Sequence, residues 1–384
     1  MKLIYLSHWR FPSEKTMTPL ILRTCEGFVK RGCEVELWVP RRRNPDAVEG
    51  DLLERYGIKE RFIVRRVPAL DFMRFLGAFG FVLMVASFNL FSLLRLLRHR
   101  NDKDTVLYAH DLRDLLLPAF ARLPMFAEVH DFYESSFSLM NRFVFKRASG
   151  LIVTNTLKMH RIAERYHVSP RRMLHQQNAV DAGMFSIGLS KAEARVALGL
   201  PAGRTVALYT GHLFGWKGVD TLAEAAAYLP QDTWIYFVGG TPEDRAALRE
   251  HVARLRLPRI EFVPHQPHKT MPLYLRAADV LVLPNTAKEE ASRVETSPVK
   301  LFEYLASGTP VVASDLPSIR DIVSEREVFF AAPDDARSFA GAIAVALANP
   351  EAAAGRAEAG RAIAARNSWE ARARSIMDFI TASL

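Results

Sequence analysis

In "ETSPVKLFEYLASGTPVVAS" two carboxylates, Glu295 and Glu303, stand eight positions apart around a Ser-Pro pair. Ser297 suits a helix N-cap and Pro298 the first helical position. The pattern predicts a helix through Leu305, closed by Ala306-Ser307-Gly308. The first turn of a helix leaves about four N–H groups without intrahelical partners, and these attract anions. A carboxylate accepts two or more hydrogen bonds, and a vicinal diol donates two. Glu303 is therefore suited to a ribose, as acidic residues are in dinucleotide folds. Glu295 is suited to the hydroxyls of a sugar beyond a diphosphate. The plain alternative is that Glu295 only complements the helix dipole and Glu303 lies on a solvated helix face.

A second stretch, "YTGHLFGWKGVD", follows an apolar strand pattern. Gly211, Gly215 and Gly218 permit tight turns and close backbone approach to a ligand. Lys217 precedes the next helix, where a cation beside outward N–H groups suits a diphosphate. Alternatively the glycines serve only the turn and Lys217 is solvated. No GxxxxGK[ST] loop is present, and "SHWRFPSE" replaces the GxGxxG that a nicotinamide enzyme would carry after its first strand. Asp102 and Asp104 resemble a metal-binding pair, but they precede a strand and read as a solvated loop. His110 and Asp111, ending a strand, suit either binding or a turn. Glu128 and His130, two apart, share a sheet face. Lys300 points to Glu303 or to solvent, and Trp216 reads as a packing residue of its loop.

These residues need a scaffold. Apolar runs alternate with helical stretches along all 384 residues. The first half offers "KLIYLSH", "EVELWVP", "FIVRRV", "TVLYAHD", "MFAEVHD", "GLIVTN" and "RMLHQQN". The second offers "TVALYTGHL", "TWIYFVGG", "RIEFVPH", "DVLVLPN", "PVVASD" and "VFFAA". Continuous Val/Ile/Leu runs imply parallel strands buried on both faces, joined by right-handed crossovers. The expected fold is α/β: two doubly wound, Rossmann-like domains facing across a cleft, with ligands outside the carboxyl ends of the strands. The expected limits are 1–182 for the first domain, 183–204 for a linker and 205–366 for the second domain. A last helix, 367–384, is expected to be capped by Ser368 and to pack back on the first domain.

The formal charge of +9 is uneven: about 29 Lys and Arg face about 19 Asp and Glu through Asp181, and the remainder balances. No nucleic-acid motif accompanies it, so an anionic substrate or membrane surface is the expected partner, not nucleic acid. Cys25 and Cys33 form neither a disulfide framework nor a zinc pattern, which fits a reducing cytosol. "MKLIYLSHWRF" reads as a strand and not as a signal peptide. Phe75 to Leu94 carries no charge for 20 residues and is followed by Arg95, Arg98 and Arg100. A membrane span there would part the first two strands from the rest of their sheet. The open readings are a buried helix and a helix lying in a membrane interface.

With "NAVDAGMF" at the domain junction and "FPSEKTMTPLILRTCEGFVKRGCEVELWVP" near the start, the motifs resemble the family 4 (group 1) retaining glycosyltransferases of GT-B fold, over nearly the whole chain. The resemblance implies a hexosyl- or N-acetylhexosaminyl-type transferase that uses a UDP-, GDP- or ADP-sugar without a metal. The basic first half and the apolar stretch suggest an acceptor that is a glycan or lipid-linked hydroxyl in envelope polysaccharide or glycolipid synthesis. The enzyme would be cytoplasmic and peripheral at the inner membrane face. It implies Glu295, His130 and Lys217 as catalytic, with His130 and Glu295 on the donor sugar. Gly211, His212, Lys217, Ser297, Pro298, Val299 and the backbone at Thr296 would hold the diphosphate, Glu303 the ribose, and Val263, Pro264 and His265 the base. Ser13, Glu14, Lys15 and Thr16 would face the acceptor and the phosphates. Three positions depart from the family pattern: His212 replaces an arginine, "PSEKT" replaces a glycine pair, and Ala179 replaces a glycine. A sugar-nucleotide epimerase on the same fold and a non-catalytic membrane-associated sugar-nucleotide binder are the alternatives.

Overall fold

A computed structural model describes residues 1–13, 17–42, 51–102, 104–130 and 138–384. The chain divides into two compact units: Met1–Gln176 with Trp369–Leu384, and Gln177–Ser368.

The first unit holds a seven-stranded parallel sheet. Its strands are β1 (Lys2–Leu6), β2 (Glu34–Pro40), β3 (Ile63–Val67), β4 (Thr105–Ala109), β5 (Met125–Val129), β6 (Gly150–Val153) and β7 (Met173–His175). Their order is β3-β2-β1-β4-β5-β6-β7. The second unit holds β8 (Thr205–Thr210), β9 (Thr233–Val238), β10 (Ile260–Val263), β11 (Val280–Leu283), β12 (Val311–Ser314) and β13 (Phe329–Ala331). Their order is β10-β9-β8-β11-β12-β13, again all parallel. Every apolar run read from the sequence is a strand. The central ones are closed on both faces: Val206, Ala207, Leu208 and Tyr209 are buried, as are Val280 to Leu283. In each sheet the order reverses once, between β1 and β4 and between β8 and β11. Crevices outside the carboxyl ends at such reversals are where α/β sheets bind ligands.

The expected linker, 183–204, is corrected. It belongs to the second unit and contains the helix Lys191–Leu198. A capping box between Ser190 and Glu193 starts that helix, and Gly199 ends it in the left-handed region at φ 65°. Arg195 ties it to the Ala277 carbonyl at 2.9 Å and to Asp279 at 2.5 Å. The break between units falls instead at 176/177.

The helix Trp369–Ser383 is part of the first unit and packs on the helix Met17–Lys30. Ile376, Met377 and Ile380 are its buried apolar stripe, each contributing about 1.5–3 kcal/mol by leaving water. Ser368 does not belong to this helix's unit; it bridges to Val180 within the second. Arg372 is fully buried, and its Nη2 donates to Glu128 Oε2 at 2.5 Å, while Tyr108 donates to Glu128 Oε1 at 2.5 Å. A buried charge is tolerated only when paired and hydrogen-bonded, so this pair fixes where the helix docks.

The uncharged stretch forms the helix Met73–Leu96, with a non-helical residue at Gly77. Met84, Val85, Phe88, Ser92 and Leu96 are buried, whereas Phe75, Phe79, Val82, Leu90 and Leu94 are exposed. The helix is thus half in the core and apolar on both sides. Length and composition alone would let it cross a membrane.

Candidate functional site

The richest constellation lies in the second unit, at the β8/β11 reversal. β8 is pinned there from two directions. The Thr210 N–H donates to the Tyr304 hydroxyl at 2.8 Å, and the Tyr209 hydroxyl donates to the His212 carbonyl at 2.6 Å. Tyr304 belongs to the helix Val299–Ser307, so one helix holds the end of the strand.

Two glycines in the loop after β8 are obligatory. Gly211 has φ 114°, and a Cβ there would come within 2.7 Å of Lys300 Nζ. Gly218 has φ 70°, and its Cβ would meet the Pro284 carbonyl oxygen at 1.8 Å. That carbonyl follows β11, so the two crevice loops are packed backbone against backbone.

Lys217 ends a short 3-10 turn, Gly215–Lys217, with Nζ 3.6 Å from the centroid of the Trp216 ring. Burial lowers its pKa to about 8. Trp216 is therefore both a loop residue and the surface under this ammonium. Lys300 Nζ sits 3.8 Å from the Tyr209 ring centroid. Burial, then repulsion by Lys217, pushes it well below the usual lysine value, with Glu303 pulling the other way. His212 is lowered as well, by burial first and then by Lys300 and Lys217. Its ring stacks on Phe214 at 4.9 Å.

The helix Val299–Ser307 starts differently from the sequence expectation. Pro298, at φ −72° and ψ 114°, is the capping residue, and no side chain caps the first turn. Ser297 is not the N-cap. It is buried, its Oγ accepts from the Asn178 N–H at 3.3 Å, and its carbonyl accepts from Asn178 Nδ2 at 2.6 Å. Val299 is the first helical residue, and Gly308, left-handed at φ 68°, ends the helix. Glu295 closes a single π-type turn, Ala291–Glu295, and is half-buried. Glu303 is largely buried, and its Oε1 is 2.8 Å from Nε2 of the exposed His268. Sequence reasoning missed His268, although it lies three residues after His265. Val263 ends β10, half-buried, with its carbonyl accepting from the Gly239 N–H at 3.0 Å, and Pro264 and His265 are exposed.

The first unit has its own cluster at the β1/β4 reversal. His8 Nδ1 meets Asp114 at 2.9 Å. Burial works against the His8 proton, but Asp114 outweighs it and leaves the pKa raised. His110 is buried with neither ring nitrogen partnered among the described residues, and burial holds it near pKa 3. Asp111 accepts from the Arg113 N–H at 2.9 Å, capping the short turn that follows. His130 is half-buried with Nε2 2.7 Å from Glu128. Ser13 is tied through its N–H and carbonyl to the Tyr56 hydroxyl, at 3.0 and 2.7 Å. Glu14, Lys15 and Thr16 lie outside the described residues. Asp102 pairs with His99 at 2.8 Å. Among the described residues, no three His, Cys, Asp or Glu side chains gather as a metal site would need.

Residues 190–363 match the family described as glycosyl transferases group 1. The D-inositol 3-phosphate glycosyltransferase of Mycolicibacterium gilvum is 33% identical over 201 residues, 50% of this chain and 43% of its own. The putative teichuronic acid biosynthesis glycosyltransferase TuaC of Bacillus subtilis is 27% identical over 210 residues, 52% of this chain and 48% of its own. The chain thus spans about half the length of the curated relatives it matches. HepE of Anabaena, in complex with UDP-glucose, superposes with a TM-score of 0.74 over 100% of both chains at 18% identity, a likeness of fold.

Proposed function

Through residues 190–363 the chain belongs to the group 1 glycosyl transferases, it has the GT-B fold, and from that premise we propose that it moves a sugar from a nucleoside-diphosphate sugar to an acceptor hydroxyl. The observation that carries this is Lys217: a half-buried cation resting on Trp216 in a glycine loop at the β8/β11 reversal, beside an uncapped helix start. A diphosphate is the ligand that such a setting stabilises. In this reading Lys217 and the amides after Pro298 meet the charge that grows on the leaving diphosphate. Protein groups then supply the electrostatic stabilisation, and the transfer is metal-independent. Glu303 takes ribose hydroxyls, Glu295 and His130 take sugar hydroxyls, and Val263 to His265 border the base. Transfer proceeds with retention, as the resemblance implies. The name of the Bacillus subtilis relative supports an envelope polysaccharide, and HepE with UDP-glucose supports a uridine donor.

Melting with UDP-, GDP- and ADP-sugars and their free nucleotides is the test. A ligand at 100 times its Kd adds about 2.7 kcal/mol of stability, and one base is expected to do so. No stabilisation by any of them would overturn the reading.

The acceptor reading, a lipid-linked or envelope glycan, goes with a membrane. The helix Met73–Leu96 turns Phe75 (79% exposed), Phe79 (68%) and Val82 (60%) outward, with Arg95, Arg98 and Arg100 at its end. An apolar stripe beside arginines suits an anionic lipid surface at the cytoplasmic face. The protein is expected to float with phosphatidylglycerol vesicles, and Phe75→Glu with Phe79→Glu to abolish this. Equal recovery of the doubly substituted protein would remove the helix from the contact.

A further inference from the structure

We propose that Lys300, and not His212, is the second cation of the diphosphate site. The proposal rests on the donor reading above and assigns it a residue that the loop pattern did not.

Lys300 is the second residue of the helix Val299–Ser307, in the turn that no side chain caps. Its ammonium is held over the Tyr209 ring and fills the space that a side chain at position 211 would take. The glycine there is thus matched to the lysine and not only to a turn. Among the described residues, the Lys300 ammonium makes no hydrogen bond or ion pair. Glu303, one turn along the same helix, gives Oε1 to His268 instead. The Lys217 ammonium is in the same condition: its only partner among the described residues is the Trp216 face. Two half-buried ammonium groups that repel each other oppose folding unless something else requires them. Cation–π contact recovers only part of the cost. An anion spanning both ammoniums and the uncapped N–H groups answers all three deficits at once.

The loop histidine fits this role less well. His212 is stacked on Phe214 at the surface, and its proton is disfavoured by partial loss of water and by the two lysines. It therefore adds little charge near neutral pH. The ligand class is a diphosphate ester, with Lys217 and Lys300 on its oxygens. Lys300 is a binding residue in this assignment, and the sign of its effect on the empty protein differs from that of an ordinary structural lysine.

The test uses the full chain with UDP, inorganic pyrophosphate and uridine as probes, by calorimetric titration and melting. Lys300→Met is expected to melt at or above wild type when empty, because a half-buried charge without a counter-ion is gone. The same variant is expected to bind UDP and pyrophosphate about 10- to 100-fold more weakly, the range for charge-assisted hydrogen bonds. Uridine affinity is expected to hold, and the loss is expected to exceed that of His212→Gln. Lys300→Gln, measured in parallel, keeps the test open if the methionine variant folds poorly. Unchanged pyrophosphate and UDP affinity in either folded variant would overturn the assignment. Equal loss of uridine would also overturn it, since it would mark a general distortion. A wild-type protein that binds none of the three probes would overturn the donor reading, and the Lys300 assignment with it.

Discussion

Lys217→Met is expected to lower kcat/KM for sugar transfer by about 10²–10³-fold, the scale of removing one preorganised group from a developing charge. The physical reason is its position. The ammonium is partly withdrawn from water in the crevice loop after β8, so its field is less screened than at the open surface. The same burial predicts a pH signature. With its pKa lowered to about 8, Lys217 loses its proton above that pH in the free protein, and the donor KM of the wild type is expected to rise there. The variant should lack that rise. The stability sign runs opposite to that of a paired lysine. Folded Lys217 binds fewer protons than its unfolded form between about 8 and the ordinary lysine value, so the empty protein gains stability as pH increases through that window. Steady-state kinetics across the window check the first effect and melting checks the second. A variant with wild-type kcat/KM would exclude Lys217 from the site.

Arg372→Met is expected to destabilise the first unit by about 3–5 kcal/mol, the cost of leaving a buried partner charge unpaired. Burial alone would raise the Glu128 pKa, but the Arg372 charge and the His130 hydrogen bond outweigh it and hold it well below the usual range. In the wild type this contributes stability that is present above the unfolded carboxylate pKa and lost as pH falls through the folded value. Without Arg372, burial dominates, Glu128 gains a proton more readily, and the slope reverses: the variant becomes more stable as pH falls. Urea unfolding at two pH values measures both. Adding Glu128→Gln should restore part of the loss, since removing both partners costs less than removing one. A single variant as stable as wild type would show that the pair does not hold the helix Trp369–Ser383.

The central strands were legible because parallel strands buried on both faces leave continuous apolar runs such as "TVALYT". Local signals failed where a distant residue intervened. Ser297 has the right type for an N-cap, but Asn178, 119 positions away, takes its hydroxyl. The stretch "KAEARVAL" looks like a linker because only Ala194 of its helix is buried. The spacing of Glu295 and Glu303 was legible on one helix start, whereas His268 reaches Glu303 from another loop. Lys300 read as a surface or Glu303-directed residue, since nothing along the helix reveals that Tyr209 and Gly211 leave a place for its ammonium.

The first unit is interrupted: its sheet lies within residues 1–176, yet the helix that buries Arg372 against it lies at 369–383. During synthesis, Glu128 must wait for its partner until the whole of the second unit has left the ribosome. The unit encoded first therefore completes its core last, reversing the usual N-to-C order of domain maturation. A chain ending at residue 368 would carry the whole sheet of the second unit and a first-unit sheet still open along the face where Ile376 and Ile380 belong.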